Sequence, residues 1–422
     1  MSSVFALVDC NNFYASCEKL FRPDIKHRAV VVLSNNDGCV VARSKEAKAL
    51  GIKMGVPAFQ IKDMIHKHSI VVFSSNYALY ADMSNRVMQT LEAMSPRVEV
   101  YSIDEAFVDM TSVDRVMPLS DFGYQLKDTV AQYTGMAVCV GIAPSKTLAK
   151  LANYAAKKYP AIQGVLDLTD RTRQRKLMAM TPVNEVWGVG GKLTTRLAAL
   201  GITTALDLAD ANPKQLRKHF SVVMEKTISE LNGESCLELE IQAPAKQQIL
   251  CSRSFGEVVT DKHIMQQLVS GYIARAAEKL RYERQCCGHV QVFIRTSFFR
   301  QGAVQYSNAA STRFAVNTDD TRVLTRAAMS LLDVIWKDGV RYAKAGVMLT
   351  ELGDQGVVQQ DLFDTRQADG GKKLMALLDR INTSAHGKAW FASQGQQSPW
   401  TMKREHLSPA YTTRWMALPL VR

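Results

Sequence analysis

A chain of 422 residues, 47% hydrophobic and 22% charged, has the composition of a folded globular protein with room for about three domains. Its 52 Lys and Arg against 40 Asp and Glu leave a surplus of 12, which suits a polyanionic partner, nucleic acid before an anionic membrane; a basic enzyme without such a partner is the competing reading. No apolar run approaches the roughly 20 residues that span a bilayer, the N-terminus lacks the basic segment of a signal peptide, and eight cysteines without a Cys-x-x-Cys pair read as reduced thiols of a cytosolic protein.

In chain order, residues 4–8 form a short apolar run that ends in Asp9 and predict a buried strand, followed by a helix over 13–20 and a second buried strand over 29–33. Residues 44–50 are strong helix formers stopped by Gly51. The stripe Met83, Val87, Leu91 and Met94 predicts a helix over 80–94. Residues 97–110 alternate like a hairpin, and a strand over 137–142 leads into a helix over 146–158. Strands and helices mix without a strict βαβ rhythm, so the expected class is α+β and multidomain. Residues 170–231 carry mainly helical signals, and the polar stretch 238–247, with Pro244, reads as a linker. Residues 249–352 then mix strands over 290–295 and 346–350 with helices over 263–281 and 321–334. Within 246–350 there are 15 Lys and Arg against 8 Asp and Glu, so more than half of the surplus charge lies in a quarter of the chain. From 353 onward Gly, Gln and Asp predict a looser tail with one helix over 372–381.

Three acids stand out. Asp104 and Glu105 are embedded in Val-Glu-Val-Tyr-Ser-Ile-Asp-Glu-Ala-Phe-Val, strand-like sequence without the Gly, Asn or Pro of an ordinary turn. Asp9 ends the first buried strand, where a carboxylate is costly unless it is paired or holds a metal. Carboxylates from two neighbouring strands can hold Mg²⁺ together with substrate phosphates.

Residues 8–18, Val-Asp-Cys-Asn-Asn-Phe-Tyr-Ala-Ser-Cys-Glu, and 102–107, Ser-Ile-Asp-Glu-Ala-Phe, resemble the two metal motifs of Y-family DNA polymerases. The resemblance continues through Val140-Gly-Ile-Ala and Thr147-Leu-Ala-Lys-Leu-Ala. It is strongest to the UmuC type, the catalytic subunits of DNA polymerase V, through Ser34-Asn-Asn-Asp-Gly-Cys-Val-Val-Ala-Arg, Phe73-Ser-Ser-Asn-Tyr, Cys251-Ser-Arg-Ser-Phe-Gly and Leu407-Ser-Pro-Ala-Tyr-Thr-Thr-Arg. It covers essentially the whole chain and implies a right-hand polymerase: palm over 1–22 and 75–168, fingers over 23–74, thumb over 169–237, linker over 238–247, little finger over 248–352, and a C-terminal tail over 353–422 that binds the clamp and other partners.

The implied reaction is template-directed, error-prone translesion synthesis in the SOS response to DNA damage, by two-metal nucleotidyl transfer. Asp9, Asp104 and Glu105 would be the catalytic metal ligands for two Mg²⁺ ions, with the carbonyl of Cys10 in support. Tyr14 would be the steric gate that leaves no room for a 2′-OH. Phe13, Arg43, Lys48 and Lys157 would contact the nucleotide, the cations facing the triphosphate. Many relatives carry a second acid two residues after the first; Asn11 stands there, so it is left out of the metal set.

Val186-Trp-Gly-Val-Gly-Gly-Lys-Leu-Thr-Thr-Arg-Leu-Ala-Ala-Leu-Gly-Ile resembles a helix-hairpin-helix in which Gly188, Gly190 and Lys192 would meet a DNA phosphate. A Walker A loop fails because Val186 and Trp187 occupy the region of its first glycine, and Gly-x-Gly-x-x-Gly fails at Leu193. Gln359-Gln-Asp-Leu-Phe resembles the bacterial sliding-clamp peptide, with Gln359, Leu362 and Phe363 as anchors. No Asp-x-Glu occurs, so no proofreading site is expected. The implied partners are primer-template DNA, deoxynucleoside triphosphates, the sliding clamp, a processed UmuD dimer and RecA, with no membrane, in a cytoplasmic, nucleoid-associated setting. The rival readings are a DinB-type polymerase, a nucleotidyl cyclase with a similar palm, and a non-catalytic DNA-binding scaffold.

Overall fold

The computed structural model describes residues 3–242, 244–298, 305–355, 370–384, 387–395 and 402–418. The chain divides into two compact units, Met1–Ala243 with Arg404–Arg422, and Pro244–Lys403. The break falls inside the stretch read as a linker.

In the first unit a five-stranded sheet runs Val98–Val100, Glu105–Asp109, Phe5–Cys10, Val138–Ala143, Val165–Asp167. All six residues of Phe5–Cys10 are buried, as expected of a central strand covered on both faces. Its side chains alternate between two cores. Ala6, Val8 and Cys10 join the core formed with the helices Tyr77–Met94 and Leu119–Thr134. Leu7 joins the core under the helix Lys146–Lys158. Asp9 shares the face of Leu7, so its position along the strand aims it at that helix.

The helix Lys146–Lys158 lies unusually close to the sheet for two local reasons. A Cβ at Gly141 would collide with the backbone of Ala149 and Asn153, so only glycine permits the approach. Asn153 then donates its amide to the Leu7 and Cys139 carbonyls at 3.2 and 2.8 Å, clamping the helix across two strands. Ser145 caps its start by accepting from the Leu148 N–H.

A second sheet, Val40–Arg43, Val30–Leu33, Val71–Ser74, is built around the fully buried Val30–Leu33. Five helices between Arg171 and Leu231 pack into the core that also contains Leu148, Leu151 and Ala152.

The second unit is a four-stranded antiparallel sheet, Ser307–Thr318, Gln285–Arg295, Tyr342–Asp354, Ile249–Val259, with helices Lys262–Tyr282 and Thr321–Ile335 on one face. Two of its strands, Ile249–Val259 and Ser307–Thr318, were not expected from the sequence, and the other two run well beyond 290–295 and 346–350. Ser307–Thr318 has one polar and one half-exposed face, so its hydrophobic alternation is weak. Arg281 grips Asp379 through Nε and Nη2 at 2.6 and 2.7 Å and so anchors the helix Gly370–Thr383. The region expected as one loose tail is therefore divided. Its helix belongs to the second unit, while Arg404–Arg422 returns to the first.

Candidate active site

Asp9 and Glu105 are direct partners across the antiparallel strands Phe5–Cys10 and Glu105–Asp109. The Cys10 N–H donates to the Asp104 carbonyl at 2.9 Å, which carries the pairing one residue past the strand end. The Ser102 hydroxyl donates to the Asp104 carboxylate at 2.7 Å and accepts from the Glu105 N–H at 3.1 Å. The structure thus brings Asp9, Cys10, Asp104 and Glu105 together, as the motifs implied.

Asp9 is only 7% exposed. Burial lifts its carboxyl to about 7; Lys157 opposes the shift, and hydrogen bonding with Glu105 adds to it. For Glu105 burial acts upward too, but hydrogen bonds to Asp9 and Lys150 outweigh it and hold the group below its ordinary value.

One helix supplies the opposing charge. Lys157 pairs with Asp9, Lys150 with Glu105 at 2.7 Å, and Lys146 with the buried Glu99. Offsets of four and seven residues put 146, 150 and 157 on a single stripe of an α-helix. Lys150 also lies over the rings of Tyr101 and Trp187, 4.3 and 5.2 Å from their centroids. Lys146 and Lys150 were not singled out from the sequence. The signal was present: three lysines in register on one face of an otherwise apolar helix that follows a glycine strand.

The residues expected to contact the nucleotide stand near this end of the sheet, Lys48 close enough to feel Arg43, Lys157 and Asp9. Lys48 donates to the Asn12 side chain, and Asn12 holds the left-handed turn that starts the helix Phe13–Leu20. The Lys48 ammonium is depressed by burial first, then by repulsion from Arg43 and Lys157, with Asp9 opposing. Arg43 donates to the Ile52 carbonyl at 2.5 Å. Tyr14 is half-buried, stacked on Tyr80 at 4.3 Å and edge-on to Tyr77 at 6.2 Å. Phe13 differs from the others: its ring is buried in the core behind Tyr14.

Gly188 has φ +86° and Gly190 precedes the helix Gly191–Ala198, with Gly188, Gly190 and Lys192 all exposed. In the second unit the sheet face away from the helices carries Ser252, Ser254, Gln291, Arg295, Arg313 and Lys344, opposite the buried Val290, Val292 and Ile294. Small polar and cationic side chains on an open sheet are suited to phosphate contacts. Gln359, Leu362 and Phe363 lie outside the described residues.

No preassembled three-ligand cage of His, Cys, Asp or Glu stands among the described residues. The chemistry nevertheless fits a hard divalent cation. The buried Asp9 and half-buried Glu105 converge from two strands, and two lysine ammoniums already sit on them as cationic counterparts.

Residues 8–154 match the impB/mucB/samB family, 246–362 its C-terminal domain, 171–202 the HHH motif of the same family, and 372–421 a domain of unknown function. Protein ImpB and protein UmuC, both of Salmonella typhimurium, are each 54% identical over 422 residues, 99% of this chain and 100% of theirs. A Y-family DNA polymerase chimera of Dbh and Dpo4 superposes with a TM-score of 0.66 at 22% identity, over 83% of this chain and 99% of its own. The chain belongs to the impB/mucB/samB family of UmuC-type proteins and has the fold of a Y-family DNA polymerase.

Proposed function

We propose that this DNA-directed DNA polymerase of translesion synthesis carries out nucleotidyl transfer at the carboxylates Asp9, Asp104 and Glu105, with the Cys10 carbonyl beside them. The observation that supports it most is the register pairing of Asp9 with Glu105, each answered by a lysine of one helix. Two Mg²⁺ bound there would supply Lewis-acid activation of the primer 3′-OH and neutralise charge on the triphosphate. Lys157, Lys48 and Arg43 place cations where the leaving pyrophosphate gathers charge. Tyr14 presents its ring as the sugar filter, with Phe13 packed behind it. In this reading 1–22 with 75–168 is the palm, 23–74 the fingers, 169–237 the thumb, and 248–352 the little finger.

Gly188, Gly190 and Lys192 offer backbone N–H groups and a cation to a DNA phosphate. The open sheet face of the second unit grips the backbone without reading bases, which suits an enzyme that must accept any template. Gln359, Leu362 and Phe363 dock on the sliding clamp, and processed UmuD and RecA act as partners near the nucleoid. The decisive test is primer extension with Mg²⁺ across an abasic template, with and without processed UmuD and RecA. Extension past the lesion is expected; DNA binding without any nucleotide addition under every condition would leave only a scaffold.

A further inference from the structure

Through Ser408 and Glu18 the returning C-terminal segment reaches Tyr80, the residue stacked on the ring that the preceding reading makes the sugar filter. A ring that excludes a single oxygen must be held to within a fraction of an ångström. Tyr14 is only half-buried, and its broadest support is Tyr80, stacked at 4.3 Å with 15° between the planes. Tyr80 is itself fully buried and donates its hydroxyl to Oε1 of Glu18 at 2.6 Å. The same oxygen accepts from the hydroxyl of Ser408 at 3.1 Å, 390 residues away in sequence.

Glu18 is 0% exposed, and its second oxygen has no hydrogen-bond partner among the described residues. A carboxyl buried at this cost is oriented by the two hydroxyls on Oε1.

Ser408 is fixed in turn. Asn76 donates to its hydroxyl at 2.9 Å and to the Pro409 carbonyl at 3.2 Å. Asn76 caps the helix Tyr77–Met94, which carries Tyr77 and Tyr80 beside Tyr14. His406 and Ser74 exchange two hydrogen bonds at 3.0 Å. Tyr411 stacks on Phe21 at 4.7 Å, directly after the helix that carries Tyr14. The segment therefore grips both helices that set the Tyr14–Tyr80 stack.

We infer that the C-terminal segment 404–418 positions Tyr14 through Ser408, Glu18 and Tyr80, and so sets how strictly ribonucleotides are refused. The inference rests on the reading of Tyr14 as sugar filter and adds the positioning residues behind it. A segment that only stabilised the fold would change insertion of both sugars alike. A positioning segment changes their ratio.

The test is single-nucleotide insertion by the full-length chain, with kcat and KM for a deoxynucleotide and the matching ribonucleotide, and a thermal melt of each variant. Ser408→Ala and Tyr80→Phe are each expected to raise the ribonucleotide share about two- to tenfold, the scale of one hydrogen bond, through a lower ribonucleotide KM. The deoxynucleotide kcat stays near that of the unsubstituted chain. The double variant goes no further than the larger single one, because both break the same chain of contacts. Tyr14→Ala, the control, relaxes selection strongly. If it does and the two distal variants leave the ratio unchanged, or lose both sugars equally, the coupling is refuted while the filter stands. If Tyr14→Ala leaves the ratio unchanged, the filter reading falls and this inference with it.

Discussion

Asp9 and Glu105 face one another across two paired strands, yet each is held by a different lysine of a single helix, Lys157 and Lys150. The helix can serve both because Gly141 lets it lie against the sheet and Asn153 fixes it there. The proposed site for a polyanionic substrate with metal ions rests on this grouping of charge rather than on any one side chain.

In the proposed reading the carboxylates serve chemistry and not grip, since none lies on the open sheet face of the second unit or at the Gly188 turn. Asp9→Asn and Glu105→Ala should each reduce primer extension by at least about 10²- to 10³-fold, the scale of losing a group that meets charge developing in the transition state. DNA affinity, read by fluorescence anisotropy, should stay close to that of the unsubstituted protein. Undiminished synthesis by either variant would remove these residues from the metal set.

Glu18 gives a pH dependence with a definite sign. Burial is the main cause that raises its carboxyl from an ordinary 4.5 to about 7, against the lowering effect of Tyr80 and Ser408. The folded state then binds the proton more tightly than the unfolded one. The stability this contributes is complete below 4.5 and is lost as pH rises through 7, by at most about 3 kcal/mol. Urea unfolding between about pH 5 and pH 8 should show the unsubstituted chain losing more stability than Glu18→Gln. Asp9 shifts in the same direction in both proteins and cancels in the comparison. Parallel curves would mean that Glu18 keeps its charge when folded.

Much of this site was legible from local sequence. Asp9 at the end of an apolar run and Asp104-Glu105 inside a hairpin are short-range signals, and strand register joins them. The helix over 146–158 was legible to the residue, because Ser145 caps it and its apolar face is continuous. What stayed hidden depends on contacts distant in sequence. Glu18 reads as one more polar residue on an eight-residue helix until Tyr80 and Ser408 close over it. Lys150 reads as a solvated lysine until Glu105 faces it. The strand Ser307–Thr318 hides because its helix-facing side is only half-buried and includes Asn308 and Thr312, so its alternation is weak.

Glu230 is a second buried carboxylate of that long-range kind. It is 0% exposed and accepts from three backbone N–H groups: Thr147 at 2.9 Å, Cys236 at 2.7 Å and Leu237 at 3.2 Å. It thereby ties the first turn of the helix Lys146–Lys158 to the chain leaving the helix Val222–Leu231. Glu230→Ala strands one buried and two part-buried donors and should cost about 2–5 kcal/mol. Glu230→Gln keeps one acceptor oxygen and should cost clearly less. Chemical denaturation of the three proteins measures this, and equal stability of the alanine variant and the unsubstituted chain would show that water satisfies those donors instead.

The proposed clamp contact through Gln359-Gln-Asp-Leu-Phe distinguishes a polymerase that works alone on DNA from one tethered to a replication ring. Binding through Lys and Arg contacts to phosphates weakens steeply as salt rises, because counterion release drives it. A tether to a ring around the duplex supplies a high effective concentration independent of that term. Alanine at Gln359, Leu362 and Phe363 together should therefore leave single-nucleotide insertion unchanged. Clamp-stimulated synthesis should fall, most of all near physiological salt, where unaided binding is weakest. Product lengths with and without loaded clamp, for both proteins across a salt series, measure the effect. Equal stimulation of the two would make the segment an ordinary packing anchor and place any clamp contact elsewhere on the chain.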